Sequence, residues 1–262
     1  MNSPGTQTAV RPSRPAVAAA VAAAPSRPTT SLISAACDWT QIGTSLDATG
    51  TAVLPAVLDA AQCAQLRDSY AQPELFRSRV IMQRHGFGRG EYQYLRYPLP
   101  PVVERLRSQL YGPLAQIANR WSEALGSDVR YPASLREFLQ RCHAAGQERP
   151  TPLLLRYSAG DYNCLHQDLY GEHAFPLQAT VLLSSPGEDF DGGEFALTEQ
   201  RPRAQSRVEV ATLRQGDALV FPVRYRPVQG TRGIHRVNMR HGVSRLRAGV
   251  RFTLGIIFHD AT

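Results

Sequence analysis

Among the residues that could do chemistry, His166 and Asp168 stand out, one residue apart in Leu165-His166-Gln167-Asp168. On an extended strand, residues i and i+2 point to the same face, so the imidazole and the carboxylate would project side by side while Gln167 turns away. One more imidazole would complete a metal site, and the spacing favours His241. Ten residues after it comes Arg251, on what reads as the next strand of a hairpin turned by Ala248-Gly249.

From Val250 to Phe258 the pattern alternates. Val250, Phe252, Leu254, Ile256 and Phe258 form an apolar face, while Arg251, Thr253 and Gly255 share the other, which suits a cavity wall. A guanidinium beside a hydroxyl pairs bidentately with a carboxylate, and Gly255 leaves room for a ligand. Two His and one carboxylate on one face of an octahedron leave the opposite positions open. That arrangement suits a non-haem Fe(II) that must bind a carboxylate cosubstrate and dioxygen together.

These motifs resemble the 2-oxoglutarate/Fe(II)-dependent dioxygenase superfamily, with its H-x-D, distal His and C-terminal R-x-S/T. H-x-D alone is a weak signal, but its context strengthens it. Arg156 to Gly160, Gly192-Gly193-Glu194, Gln215 to Phe221 and the His241 to Arg251 block follow in the order and spacing of the superfamily's barrel. The resemblance implies a dioxygenase with Fe(II), 2-oxoglutarate and dioxygen as cofactor and cosubstrates, and ascorbate as an optional reductant. His166, Asp168 and His241 would hold the iron, and Arg251 with Thr253 the distal carboxylate of 2-oxoglutarate. Tyr157 falls where the prolyl-4-hydroxylase branch has a Tyr that also contacts the cosubstrate.

Other residues have blander readings. A strand His is more often a hydrogen-bonded core residue than a ligand. His235 is the rival to His241, but it follows Thr231-Arg232-Gly233, which reads as a loop, and has no Arg ten residues on. His173 and His259 read as structural or surface. Cys37, Cys63, Cys142 and Cys164 show no metal or disulfide spacing, which points to a reducing cytoplasm. Cys164 would face the same side as His166, and a small buried apolar side chain is the better reading of it.

The elements that must position these residues are mainly β. At 262 residues the chain can bury one substantial core. Residues 1–35, rich in Ala, Pro, Ser and Thr, read as a disordered tail. Residues 36–150 read as a supporting region. It holds a short strand at Gly50 to Pro55, a helix capped by Asp59, a Gly-rich aromatic loop or bent hairpin from Arg84 to Tyr94, and helical spacing over Pro101 to Leu125 and Ser134 to Ala145. From 151 to 262 short strands alternate with turns and no helices intervene. With the ligand set, this selects a double-stranded β-helix, or jelly roll, behind N-terminal helices. No apolar run approaches the ~20 residues needed to span a bilayer.

Net charge is +7, and every one of the 29 basic residues is Arg. From Arg201 to Arg251 there are twelve Arg, and after residue 200 only Glu209, Asp217 and Asp260 oppose them. Arg224, Tyr225, Arg226 and Arg232 read as a loop at the barrel mouth, where basic side chains interleaved with Tyr suit a phosphate backbone with an extruded base. Stretches such as Arg89 to Tyr92, Tyr97 to Pro100, Ile117 to Trp121, Arg236 to Ser244 and Leu254 to Asp260 are similar to a bacterial group of these oxygenases described as acting on alkyl-damaged nucleic acid. Three classes stay open: a demethylase of alkylated DNA or RNA, a prolyl-4-hydroxylase-like hydroxylase of a protein or small molecule, and a non-catalytic jelly-roll binding module.

Overall fold

The computed structural model describes residues 31–33, 37–169, 171–201 and 203–262. The expectation for residues 1–30 lies outside them. Ser31–Thr262 form one unit. The tail ends earlier than expected, since Ile33 is buried in the core and the Leu32 amide donates to the Gln109 side chain.

The N-terminal part contains α1 (Trp39–Thr49), β1 (Ala52–Leu54), α2 (Ala60–Ser69), β2 (Phe76–Ile81), β3 (Gly88–Arg89), β4 (Glu91–Leu95), α3 (Pro101–Ala124) and α4 (Leu135–Ala144). The sequence reading missed α1 and β2. For α1 the signals were present: the Asp38 side chain accepts from the Thr40 and Gln41 amides, and Gly50 ends the helix in the left-handed region. Asp59 caps α2 in a capping box with Gln62.

The C-terminal part is all strand: β5 (Leu153–Ser158), β6 (Tyr162–His166), β7 (Leu177–Leu182), β8 (Phe190–Gly192), β9 (Phe195–Gln200), β10 (Arg207–Ala211), β11 (Ala218–Pro222), β12 (Tyr225–Gly230), β13 (Gly233–Val243) and β14 (Leu246–Ile256). The major sheet runs β1-β11-β7-β14-β5-β4-β2, with β8 on the end of β14. The minor sheet runs β10-β9-β13-β6-β3, with β12 on β13. Strands from before and after residue 150 pair in the major sheet, so the boundary expected at 150/151 is not a break in the structure.

Period-2 alternation explains the layering. On β11, Ala218 and Val220 join a core shared with the helices, while Leu219 and Phe221 turn to the space between the sheets. On β14, Leu254 and Ile256 face α3, whose Val103, Leu106, Leu110, Leu114 and Trp121 belong to the same cluster. Burying each such side chain contributes roughly 1.5–3 kcal/mol, which fixes the strand's face and with it the direction of Arg251 and Thr253.

The expected hairpin turn at Ala248-Gly249 is wrong. β13 and β14 are joined at Ser244-Arg245 and lie in different sheets, and Ala248-Gly249 is inside β14, paired with β8. Gly249 has φ +77°, and a Cβ there would meet the Asp189 carbonyl, so the glycine answers a close approach. The expected loop of Arg224 to Arg232 is mostly strand β12, and His235 lies within β13, opposite Val228.

Candidate metal and carboxylate site

Between the sheets lies a cavity of about 240 Å³. The minor sheet supplies His166 from β6 and His241 from β13, which are cross-strand partners with ring centroids 4.2 Å apart. β6 ends at His166, so Asp168 lies just beyond the strand. Its Oδ2 is 3.2 Å from His241 Nε2 and its Oδ1 is 3.5 Å from His166 Nε2. Among the described residues, these three form the one group of His, Cys, Asp or Glu whose donor atoms converge in this way. Donors about 2.1 Å from a metal and at right angles to each other lie about 3 Å apart, so the set fits one face of an octahedron.

A bulge shapes β6. Asn163 and His166 are three positions apart, but their partners Val243 and His241 are only two apart. Both Asn163 and His166 therefore line the cavity, and Cys164 is turned out. This corrects the reading of Cys164 as a buried neighbour of His166: it is exposed. Gly242 faces the bulge, where a Cβ would sit 2.6 Å from the Asn163 carbonyl oxygen.

Each ligand candidate is held. His166 Nδ1 donates to the Cys164 carbonyl at 2.8 Å, which leaves Nε2 as the lone-pair nitrogen facing Asp168. Burial works to lower the His166 pKa, but the Asp168 carboxylate outweighs it and the net shift is upward. Burial alone would raise the Asp168 pKa, yet the two imidazoles hold it well below the usual carboxylate range. Burial lowers the His241 pKa, favouring the neutral ring that a metal requires. The Phe195 and Phe221 rings lie 5.8 and 4.7 Å from that of His241, and its Nδ1 has no hydrogen-bond partner, so packing sets the ring's orientation.

The major sheet supplies the opposite wall. Arg251 on β14 is 3% exposed, its Nε and Nη1 are buried without a hydrogen-bond partner, and burial pushes its pKa down to about 10. Tyr157 is its cross-strand partner on β5, with the guanidinium 5.8 Å from the ring centroid. The Tyr157 hydroxyl is fully buried and makes no hydrogen bond of standard geometry, with the Asn163 side chain near it. Thr253 lines the same wall. A buried cation with unmet donors is a receptor for a carboxylate, and the cavity puts it opposite the His/Asp set.

Two polar residues escaped the sequence reading. Gln178 on β7 is 3% exposed, and its Nε2 donates to Asp168 Oδ2 at 2.9 Å. Its signal was a Gln followed two residues later by Thr180 in an otherwise apolar buried strand, the period that puts both on the cavity side. Gln167 does not turn away as expected: its Nε2 donates to the Met239 carbonyl at 2.8 Å and to Asn238 Oδ1 at 2.7 Å, tying the end of β6 to β13.

Other expectations fall outside the site. Arg226 is not at a mouth: it is buried, ion-paired with Glu199, and donates to the Asp47 carbonyl. His259 and Asp260 are both fully buried. Asp260 pairs with Arg107 at 2.8 Å and the Phe175 amide donates to His259 Nδ1, a structural knot behind the major sheet. Among the described residues no helix is long and apolar enough to cross a membrane.

Residues 90–261 match the family Oxygenase-NA, described as "Oxygenase, catalysing oxidative methylation of damaged DNA". An uncharacterised protein of Mycobacterium tuberculosis strain H37Rv is 52% identical over 164 residues, covering 63% of this chain and 70% of that protein. Among solved structures, a Trichoplax adhaerens prolyl hydroxylase in complex with a hypoxia inducible factor peptide has a TM-score of 0.52 at 14% identity, covering 85% of this chain and 89% of that one. A non-heme alpha ketoglutarate dependent epimerase from nogalamycin biosynthesis has a TM-score of 0.50 at 16% identity, covering 84% and 81%. The two structures share the fold.

Proposed function

Because the chain belongs to the Oxygenase-NA family of oxygenases, we propose that it is an Fe(II)- and 2-oxoglutarate-dependent dioxygenase that removes methyl groups from alkylated nucleic-acid bases. The observation that carries the cosubstrate is the buried Arg251 guanidinium with unmet donors, in the same cavity as His166, Asp168 and His241.

In this reading, His166 Nε2, His241 Nε2 and one Asp168 oxygen hold Fe(II). Fe(II), when bound, supplies the electrons that activate dioxygen for C–H oxidation. Arg251 pairs with the distal carboxylate of 2-oxoglutarate, Thr253 and Tyr157 lie beside it to donate hydroxyl hydrogens, and Gln178 holds Asp168. Apolar neighbours such as Leu155, Phe195 and Phe221 keep water from the reacting centre. Overall, one dioxygen oxygen enters succinate as CO2 is lost, and the other enters the substrate methyl group. An N-hydroxymethyl base then breaks its C–N bond and releases formaldehyde. The candidate ligands lie at depth, so a base must leave its stack to reach them. Phe87, 46% exposed and lining the cavity, offers a ring for it to stack on.

Incubation with Fe(II), 2-oxoglutarate and N-methylated oligonucleotides should release succinate and formaldehyde in equal amounts. Succinate without formaldehyde from any oligonucleotide, together with a hydroxylated peptide or small molecule, would refute the substrate class and leave the oxygenase chemistry standing.

A further inference from the structure

Of the arginines on β12 and β13 and at the residue just before β12, some are neutralised and some are not. Arg226 is spent on Glu199 inside the protein. Arg224, Arg236 and Arg240 are exposed and have no ion-pair partner among the described residues. Two of them have an aromatic ring beside them instead. The Arg224 guanidinium lies 4.4 Å and that of Arg236 4.9 Å from the centroid of Tyr225.

Strand register puts these groups together. Tyr225 pairs with Asn238, and Arg236, Asn238 and Arg240 alternate with the buried Val237, Met239 and His241. They therefore share the outer face of the minor sheet. The neighbouring β9 residues on that face are Thr198 and Gln200, opposite Arg240 and Asn238, so no acidic side chain from β9, β12 or β13 lies there. At about 3.3 Å per residue, Arg236 and Arg240 stand roughly 13 Å apart, too far to serve one phosphate and well placed for separate phosphates of a polymer.

The face is continuous with the cavity. Gln167 lines the cavity, and its side-chain amide donates to Asn238 Oδ1 at 2.7 Å and reaches the Arg224 carbonyl at 3.4 Å. One side chain thus separates the candidate reaction site from the basic face.

We propose that the outer face of β12 and β13, through Arg224, Arg236 and Arg240 with Tyr225 and Asn238, is a track for the phosphate backbone of a single-stranded nucleic acid whose neighbouring base enters the cavity. The inference rests on the nucleic-acid reading above. A single strand is the fitting partner because its base enters without first being unpaired. The track makes sequence-independent contacts, so it sets affinity and salt dependence and not the choice of base.

The test uses the full chain and a fluorescently labelled single-stranded oligodeoxynucleotide carrying one N-methylated base, with anisotropy measured over a salt series. The double variant Arg236→Ala/Arg240→Ala should bind about tenfold more weakly at low salt. Its log–log salt slope should be shallower by about 1.4, the value for two lost phosphate contacts on a single strand. Succinate released without oligonucleotide should not change, since neither residue lines the cavity. If the wild type demethylates the oligonucleotide and the double variant binds with the same slope, the track is refuted and the substrate reading survives. If the wild type neither binds nor demethylates any oligonucleotide, both fall. Competition by polyglutamate as effective as by unlabelled oligonucleotide would also overturn the track, by making an acidic peptide the better partner.

Discussion

Arg251 is where function and stability should oppose each other most clearly. Its guanidinium is buried, its Nε and Nη1 lack partners, and desolvation takes its pKa down to about 10. For a cationic group, a pKa lower in the folded than in the unfolded chain means that folding disfavours the charge. The penalty is complete below about pH 10 and disappears only as pH rises into the ordinary guanidinium range. At 1.36 kcal/mol per pKa unit, the cost is on the order of 3 kcal/mol at neutral pH. Arg251→Met keeps the apolar stem and removes the charge, so the ligand-free protein should become more stable. At about 2–4 °C per kcal/mol for a chain of this size, the midpoint should rise by up to roughly 10 °C. The same variant should lose the carboxylate anchor. A charge-assisted bond is worth roughly 1.5–3 kcal/mol, so the 2-oxoglutarate constant should rise by about tenfold to a hundredfold or more. Thermal melts with and without 2-oxoglutarate and Mn(II), paired with calorimetric titration, measure both effects. A ligand-free variant less stable than wild type, or an undiminished 2-oxoglutarate shift in its melting, would refute the reasoning.

Gln178→Leu removes the hydrogen bond to Asp168 Oδ2 and should weaken Mn(II) binding by about 10- to 100-fold in a direct titration, with the fold intact by circular dichroism. Arg226→Met leaves Glu199 buried without its closest partner and should cost about 3–5 kcal/mol in denaturant unfolding; at permissive temperature its oligonucleotide salt slope should match wild type, because the side chain does not reach the surface. His259 has its pKa lowered to about 4, chiefly by burial and then by Arg107. The unfolded chain therefore takes up this proton first, so the group's contribution is present above about pH 6.5 and is lost as pH falls toward 4. Up to about 3 kcal/mol should go over that range, and in His259→Asn the pH dependence of the melting midpoint should flatten.

The sequence by itself determined the elements whose causes are local. Helix caps at Asp59 and Ser134, alternation along β14, and the apolar face of α3 are all set by neighbours a few residues away. For the same reason it put Arg251 and Thr253 on one face of a strand, since a period of two survives any packing. Only the tertiary structure decided what those faces meet. That β13 and β14 belong to different sheets, and so bring His241 and Arg251 to opposite walls of one cavity, depends on pairing partners far along the chain. The β6 bulge, which turns Cys164 outward and Asn163 inward, follows from register against β13 and leaves no mark in composition. Arg224 and Arg226 look alike in sequence, but Arg224 precedes β12 and is exposed, whereas Arg226 lies within β12 and meets the buried Glu199. Local periodicity states which side chains travel together, and long-range register states which of them are buried, paired or left free to bind.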